Sequence, residues 1–523
     1  MKHRIGLAYL PGALPCFENF GNLPTDIVCG DGLVAGEPSS EVLDMLIIPG
    51  GSLVESQTVR DGISREILKM ADAGKFVLGI CSGFQILSRG TDIGRLSATP
   101  IIREGLGLLD VEFKPLICTD HVQATVVDKT YLTNKVGAEV LGFHCHTYGS
   151  ITVGKSAKSM LVSQTKRLNY RKDEQKLVSG VANKEGNVVG VLLHSLLDQN
   201  PIIIEGITES LDIKPIELQR IRAINKKLQQ EIKREIGIST NVHTKNQKKN
   251  KKLQKVPLLL LTALGSGSGK TFIVTALAAA LKKRGIHVGV LKVGGDIRDL
   301  VPALYLIKEP IRGYSSIKIG ESGWRPIFDA VADAGKDYDF LIVEGAMSAF
   351  TGLLMNKTKK PSSTIEVAAT LDAATVVVAG CEKEGIESAL VNTLNYVKLS
   401  QKLGVKVKGV IFNKIRMSYI TNEIQNFLQR SLKNAGVELV GLVPRVDVEG
   451  RGTIPEVEIK YEEFGAKALE IAEQHLNIEK ILTLATPTKK KTMDYLVFSE
   501  KFKNALVEES MFKNLKGGKE EKC

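Results

Sequence analysis

Short apolar runs alternate with amphipathic stretches along most of this 523-residue chain, a pattern that predicts buried strands covered by helices. In the first part, strands are expected at Arg4–Leu10, Asp44–Ile48, Lys75–Ile80 and Asn187–Leu193. In the second, they are expected at Leu258–Thr262, Val288–Lys292, Phe340–Val343, Thr375–Ala379, Gly409–Phe412 and Leu439–Val443. Helical patterns fall between them, so the expected fold class is α/β, with two doubly wound, mainly parallel-sheet domains. Between the two sets, Leu218, Ile221, Ile224, Leu228, Ile232 and Ile236 recur at intervals of three and four. They predict an amphipathic helix that stops at Gly237. The expected boundaries are a first domain over 1–210, the connecting helix over 211–237 and a lysine-rich linker over 238–255. A second domain follows over 256–479, and a basic, mobile tail over 480–523.

Charge changes this picture little. The formal net charge is +12, but residues 241–256 and 481–523 carry nine of those twelve excess charges. The domains are nearly balanced, so no nucleic-acid partner is expected. Seven cysteines stand without paired spacing, which argues against a disulfide framework and for a reducing compartment. The only apolar run near the start, Ile5–Leu10, is too short for a signal peptide, and no later run approaches a membrane span. A cytoplasmic location with no membrane partner is expected.

Chemistry enters at LLLLTALGSGSGKTFIVTALAAALKKRG, residues 258–285. It reads as a buried strand, a glycine-rich turn and a helix. Gly265, Gly267 and Gly269 leave backbone N–H groups open to phosphate oxygens, and the helix N-terminus points at the same place. Lys270 would reach the β- and γ-phosphates of ATP and the Thr271 hydroxyl would ligate Mg²⁺. The strict pattern has a glycine where this chain has Leu264. Glu344, ending the apolar run DFLIVE, and Asp296, on the loop after Leu291–Val293, lie where an α/β sheet binds ligands. Both are candidate Mg²⁺ ligands, and Lys292 is a candidate substrate contact. Each could instead be a solvated loop charge.

In the first domain KFVLGICSGFQILSRG places Cys81 at a sharp turn between strand and helix, where a thiol is pushed outward and activated as a nucleophile. A buried core thiol is the alternative. Gly50 and Gly51 follow another strand and could offer N–H groups to an oxyanion. His194 ends the stretch GNVVGVLLH and could accept the cysteine proton. HCH at 144–146 has metal-ligand spacing but no second cluster near it in sequence, so an ordinary strand is expected there.

Together, Ile47–Ser56, Lys75–Gly90 and Gly186–Asp198 resemble the cysteine-dependent glutamine amidotransferase class. More narrowly, they resemble the branch attached to cobyrinate a,c-diamide synthase and cobyric acid synthase, which Asn19–Phe20 and GFHCH at Gly142–His146 also match. Residues 256–479 are similar to the P-loop synthetase domain of that family, through Ser363–Gly380, Gly409–Ile415 and Gly441–Arg445. The resemblance implies glutamine and a carboxylate-bearing tetrapyrrole as partners, ATP and Mg²⁺ as cofactors, Asn413 near the nucleotide base, and a homodimer as one expected assembly. It implies amidation of acetate side chains by ammonia through an acyl phosphate.

The chain departs from the family in domain order, which is reversed, and at Ser82, Gly295, Arg298, Ser348 and Thr351. Leu196 stands where the larger class has its third catalytic residue, so that member is unidentified by sequence. Three other readings compete: a nickel-sirohydrochlorin a,c-diamide synthase, a non-catalytic regulatory paralogue, and a partitioning-type nucleotide switch. Gly265 stands where the switch would carry a second lysine.

Overall fold

The apolar runs fold into one large sheet in each of two units. The computed structural model describes residues 2–10, 12–52, 62–237, 256–447, 459–489 and 491–509. The expected linker over 238–255 and residues 510–523 of the expected tail lie outside the described residues.

In the first unit a nine-stranded sheet runs in the order Glu139–Phe143, His121–Val126, Ala157–Gln164, Lys176–Asn183, Val188–Val191, Phe76–Ile80, Met45–Ile48, Ile5–Ala8 and Asp26–Val28. The last five pair in parallel, while the first four form an antiparallel wing joined at Val188–Val191. The expected parallel strands are present, and the sheet is mixed. The wing has the alternating burial of strands with one covered face, as at Val122, Ala124 and Val126. A separate four-stranded sheet contains Ser150–Val153, Val111–Lys114, Gly90–Asp92 and Ile102–Glu104.

The amphipathic helix forms over Pro215–Arg234 and belongs to this unit. Ile221 joins its core, and Asn225, fully buried, donates to the Pro24 carbonyl at 2.8 Å.

The second unit holds strands in the order Ser316–Ile317, Val288–Val293, Phe340–Glu344, Pro257–Ala263, Ala374–Gly380, Lys406–Ile415 and Glu438–Pro444. Every neighbouring pair is parallel, and Thr486–Pro487 adds a short antiparallel pairing. Strands buried on both faces read as continuous apolar runs, which is why all six were recognisable.

Two expected boundaries are corrected. Asp296–Arg312 and residues 459–467 group with the first unit, not the second. The helix Val301–Ile307 is buried along its whole length, Ile311 N–H donates to the Phe17 carbonyl at 3.1 Å, and Gly237 N–H donates to Leu306 at 3.1 Å. The expected mobile tail also contributes structure: Ile478–Leu484 and Tyr495–Glu509 are helices. Phe498, Phe502 and Ala505 enter the core of the second unit. Their spacing of four and three places them on one helix face, and Phe502 stacks on Phe350 at 5.3 Å. Among the described residues no helix is long and apolar enough to cross a membrane.

Candidate active sites

Phe76–Ile80 ends between two parallel neighbours, and the helix Ser82–Leu87 begins one residue later. That reversal puts Cys81 at φ +53°, a conformation that costs a non-glycine residue about 1–3 kcal/mol and is tolerated where the surroundings over-determine it. His194 lies three residues beyond Val188–Val191, the strand beside that of Cys81. Its backbone exchanges two hydrogen bonds with Phe143, at 2.9 and 3.2 Å. Phe143 stacks on the imidazole at 5.2 Å and Phe17 meets it edge-on at 5.1 Å.

The sequence left the third member of this site open, and the structure brings Glu18 to it. Glu18 Oε1 lies 2.6 Å from His194 Nδ1, and Glu18 Oε2 accepts the Ser195 N–H at 2.6 Å. Both side chains are only 2% exposed or less. With Nδ1 taken by the carboxylate, Nε2 is left for the thiol. Burial by itself lowers the imidazole pKa, but hydrogen bonds to Cys81 and Glu18 and the charge of Glu18 outweigh it and raise it to about 10. Asp198 anchors the Glu18 loop by accepting the N–H groups of Asn19 and Gly21, each at 2.8 Å. A glutamate inside the apolar stretch CFENF was the available signal.

Gly50 packs against both candidate groups, Cys81 and His194. A methyl group there would lie 3.0 Å from His194 Cε1 and 3.5 Å from Cys81 Cβ. Gly51 pairs with Ala13 through bonds made by its neighbours, Leu14 N–H to Gly50 O and Ser52 N–H to Gly12 O. That pairing therefore does not consume the Gly51 N–H. His144 and His146 are buried, with His146 Nε2 and His144 Nδ1 3.1 Å apart. Burial pushes His146 down to about 3 and His144 also well below its usual value. Among the described residues no group of three or more His, Cys, Asp or Glu side chains is arranged to hold a metal ion.

Replacing Glu18 with glutamine keeps the shape and removes the charge. Glutamine hydrolysis should fall by roughly 10²–10⁴-fold, since an imidazole held by a neutral amide loses its tautomer and its charge partner. Stability gives a second readout. A histidine whose folded pKa is raised contributes stability fully below its ordinary value of 6.5, and that stability is lost as pH rises through about 10. Urea unfolding from pH 6 to 10 should show this decline in the parent and a flatter profile in Glu18→Gln. Parallel profiles would contradict the pairing.

In the second unit the strand Pro257–Ala263 leads into the helix Lys270–Lys283. Asn413 Nδ2 donates to the Ser268 carbonyl at 2.8 Å, and a Cβ at Gly269 would come within 2.3 Å of that nitrogen. Glycine at φ +79° is required there both sterically and conformationally. Glu344, fully buried, ends the neighbouring strand. Its Oε1 receives Thr271 Oγ1 at 2.8 Å, Lys292 Nζ at 3.0 Å and Lys270 Nζ at 3.3 Å. Burial would raise this carboxyl, yet the charges of Lys292 and Lys270 and the Thr271 hydroxyl hold it below its usual value. Glu344 Oε2 is buried with no hydrogen-bond partner among the described residues. An unsatisfied carboxylate oxygen beside a threonine hydroxyl fits a hard cation such as Mg²⁺. Asp296 falls in the first unit, where both its oxygens are taken by Arg298 at 2.9 Å. Gly265 and Gly267 lie on the turn before Lys270 as expected.

Residues 13–202 match the CobB/CobQ-like glutamine amidotransferase domain, and residues 259–451 match the CobQ/CobB/MinD/ParA nucleotide binding domain. A cobyric acid synthase from Clostridium botulinum is 31% identical over 162 residues, 30% of this chain and 30% of its own length. A cobyrinate a,c-diamide synthase from Saccharolobus solfataricus is 28% identical over 237 residues, 44% of this chain and 50% of its own. A hydrogenobyrinate a,c-diamide synthase from Mycobacterium bovis is 29% identical over 194 residues, 36% of this chain and 40% of its own. The chain thus spans from 30% to 50% of the length of these curated relatives.

Proposed function

We propose that this chain, in which a CobB/CobQ-like glutamine amidotransferase domain precedes a CobQ/CobB/MinD/ParA nucleotide binding domain, is an ATP- and glutamine-dependent amide ligase. Its substrate is a tetrapyrrole acid whose carboxylate side chains it amidates. The observation that carries this reading is the buried His194–Glu18 pair, 2.6 Å apart, with His194 just beyond the strand beside the one that leads to Cys81.

In this mechanism His194 Nε2 holds the proton given up by the Cys81 sulfur, and that sulfur attacks the carboxamide carbon of glutamine. Glu18 holds the imidazole orientation and the charge that forms on it. The N–H groups of Gly50 and Gly51 receive the tetrahedral oxyanion. His194 returns the proton to the departing nitrogen, ammonia leaves, and water releases glutamate from the thioester.

In the nucleotide domain, the turn Gly265–Gly269 and Lys270 bind the triphosphate of ATP. Thr271 and Glu344 would hold Mg²⁺, which neutralises phosphate charge when bound. Asn413 keeps the turn in shape, and Lys292 is the nearby cation available to a substrate carboxylate. Transfer of the γ-phosphoryl group to that carboxylate gives an acyl phosphate. Ammonia then displaces phosphate to form the amide.

Mass spectrometry tests the reading. Tetrapyrrole acids carrying cobalt, carrying nickel or metal-free are incubated with protein, Mg·ATP and glutamine. Conversion of carboxylate to amide on one of them is expected, and its count gives the number of amidations. No conversion, with ATP turnover absent under ammonium as well, would overturn the reading in favour of a regulatory paralogue.

A further inference from the structure

The loop over 346–363 leaves the strand Phe340–Glu344 at the end where Glu344 sits, and an α/β sheet receives its ligands outside the carboxyl ends of its strands. Its exposed residues suit an apolar ring that bears carboxylates. Met347, Leu354 and Met355 are 61%, 62% and 80% exposed, and the exposed lysines Lys357, Lys359 and Lys360 follow them in sequence. Both ends of the loop are anchored. Ala346 N–H donates to Thr364 Oγ1 at 2.9 Å, Ile365 N–H donates to the Ala349 carbonyl at 3.0 Å, and Asn356 Nδ2 donates to the fully buried Glu366 at 3.0 Å.

The middle of the loop is held differently. From Phe350 to Met355 the backbone bonds to itself, Leu353 N–H to Phe350 at 3.1 Å and Met355 N–H to Gly352 at 3.3 Å. Among the described residues one hydrogen bond ties this stretch of backbone to another element: the Leu353 carbonyl accepts from Ser499 Oγ at 2.7 Å. Ser499 is buried and lies on the helix Tyr495–Glu509. About one turn further along that helix, Phe502 stacks on Phe350, whose ring also meets Tyr396 at 4.9 Å. The start of the helix is itself tied down. Lys491 N–H donates to the Thr370 carbonyl at 3.1 Å, Lys491 Nζ donates to Asp372 at 2.6 Å, and the Tyr495 hydroxyl lies 3.1 Å from Thr370 Oγ1. All of these residues belong to the second unit. The helix lies beyond residue 451, where the match to the nucleotide binding domain ends.

We propose that the helix Tyr495–Glu509, acting through Ser499 and Phe502, is a positioning element for the acid that the ligase amidates. The inference rests on the amide-ligase reading above. The Ser499 hydroxyl on the Leu353 carbonyl and the Phe502 ring on Phe350 fix the turn Leu353–Met355, and with it the presentation of Leu354, Met355 and the lysines that follow. A loop already ordered before binding loses less entropy when its ligand arrives, so the helix lowers the KM for the acid. Nucleotide binding draws on Lys270, Thr271 and Glu344, which bond to one another, and is left to that cluster.

The test uses the full chain with Ser499→Ala, Phe502→Ala and Phe502→Leu. Amidation supported by ammonium gives kcat and KM for the tetrapyrrole acid, and the KM for ATP and glutamate release are measured beside them. Ser499→Ala should raise the KM for the acid roughly 5-fold and Phe502→Ala roughly 10-fold, with kcat, the KM for ATP and glutamate release near parental. Phe502→Leu, which keeps an apolar side chain in place, should recover most of the loss. Tryptic cleavage after Lys357 and Lys359, followed by mass spectrometry, reads the loop directly, and both alanine variants should be cut roughly 5-fold faster than the parent. Should Phe502→Ala misfold and lose ATP binding, Ser499→Ala, which removes a single hydroxyl, decides. A parental KM for the acid in Ser499→Ala and in any folded Phe502→Ala would overturn the proposal. So would a KM for ATP that rises by the same factor, the mark of a general loss of structure. A parent that amidates no acid would refute the ligase reading instead, and cleavage would still judge the helix: equal rates in parent and variants would overturn it.

Discussion

Cys81→Ala should abolish glutamine-dependent amidation, by roughly 10³-fold or more, while amidation supported by ammonium chloride persists at the parental rate. The asymmetry follows from the division of chemistry. The sulfur at the strand-to-helix turn is the only group in the proposed glutaminase step that forms a bond to carbon, so no neighbouring residue substitutes for it. His194 and Glu18 can move a proton and hold charge, but they do not replace the nucleophile. In the proposed mechanism acyl phosphate formation uses Lys270, Thr271 and Glu344, which belong to the other unit, and ammonia supplied from solution bypasses the thioester. The two activities are read separately, as glutamate released and as amide formed on the macrocycle. Loss of the ammonium-dependent reaction along with the glutamine-dependent one would contradict the two-site mechanism.

Glu344→Gln should produce the larger loss of stability. The carboxylate is fully buried, and it faces the ammonium groups of Lys292 and Lys270, whose side chains are 3% and 11% exposed. Removing its charge leaves two buried cations without their shared anion, which is expected to cost about 3–5 kcal/mol. The sign of its pH dependence follows from the lowered pKa of Glu344. A carboxylate with a depressed folded pKa contributes stability that is present above its ordinary value and lost as pH falls through the folded value. Urea unfolding from neutral to acid pH should therefore show an acid-side loss in the parent that the variant lacks. The parent should also gain melting temperature with Mg·ATP, and the variant should gain little, because the orphan Oε2 and the charge that suit a cation are gone. A full Mg·ATP shift in Glu344→Gln would remove Glu344 from the metal site.

Much of the fold was legible because parallel strands buried on both faces are written as continuous apolar runs. The six expected strands of the nucleotide domain recur within a few residues of their observed ends. The antiparallel wing of the first unit carries a weaker signal, with only half of its positions buried, as in His121–Val126. The helix Tyr495–Glu509 was obscured by the lysines around it, although Phe498, Phe502 and Ala505 held the spacing of a packed face. A charge count describes a segment's average, whereas three apolar side chains on one face decide whether it docks.

The sequence by itself determined the two strand–turn–helix sites, because each is local: a glycine-rich turn before Lys270 and a sharp bend at Cys81 need only neighbouring residues. It also determined the α/β class and, through motifs, the likeness to the two domain models that match residues 13–202 and 259–451. Tertiary structure alone decided which distant side chains complete those sites. Glu18 reaches His194 across 176 residues, Asp198 pins the loop that carries it, and Asp296 accepts from Arg298. Periodicity and turn chemistry record what each segment does with its own backbone, while the pairing of buried charges is settled only when packing removes water and each must find a partner.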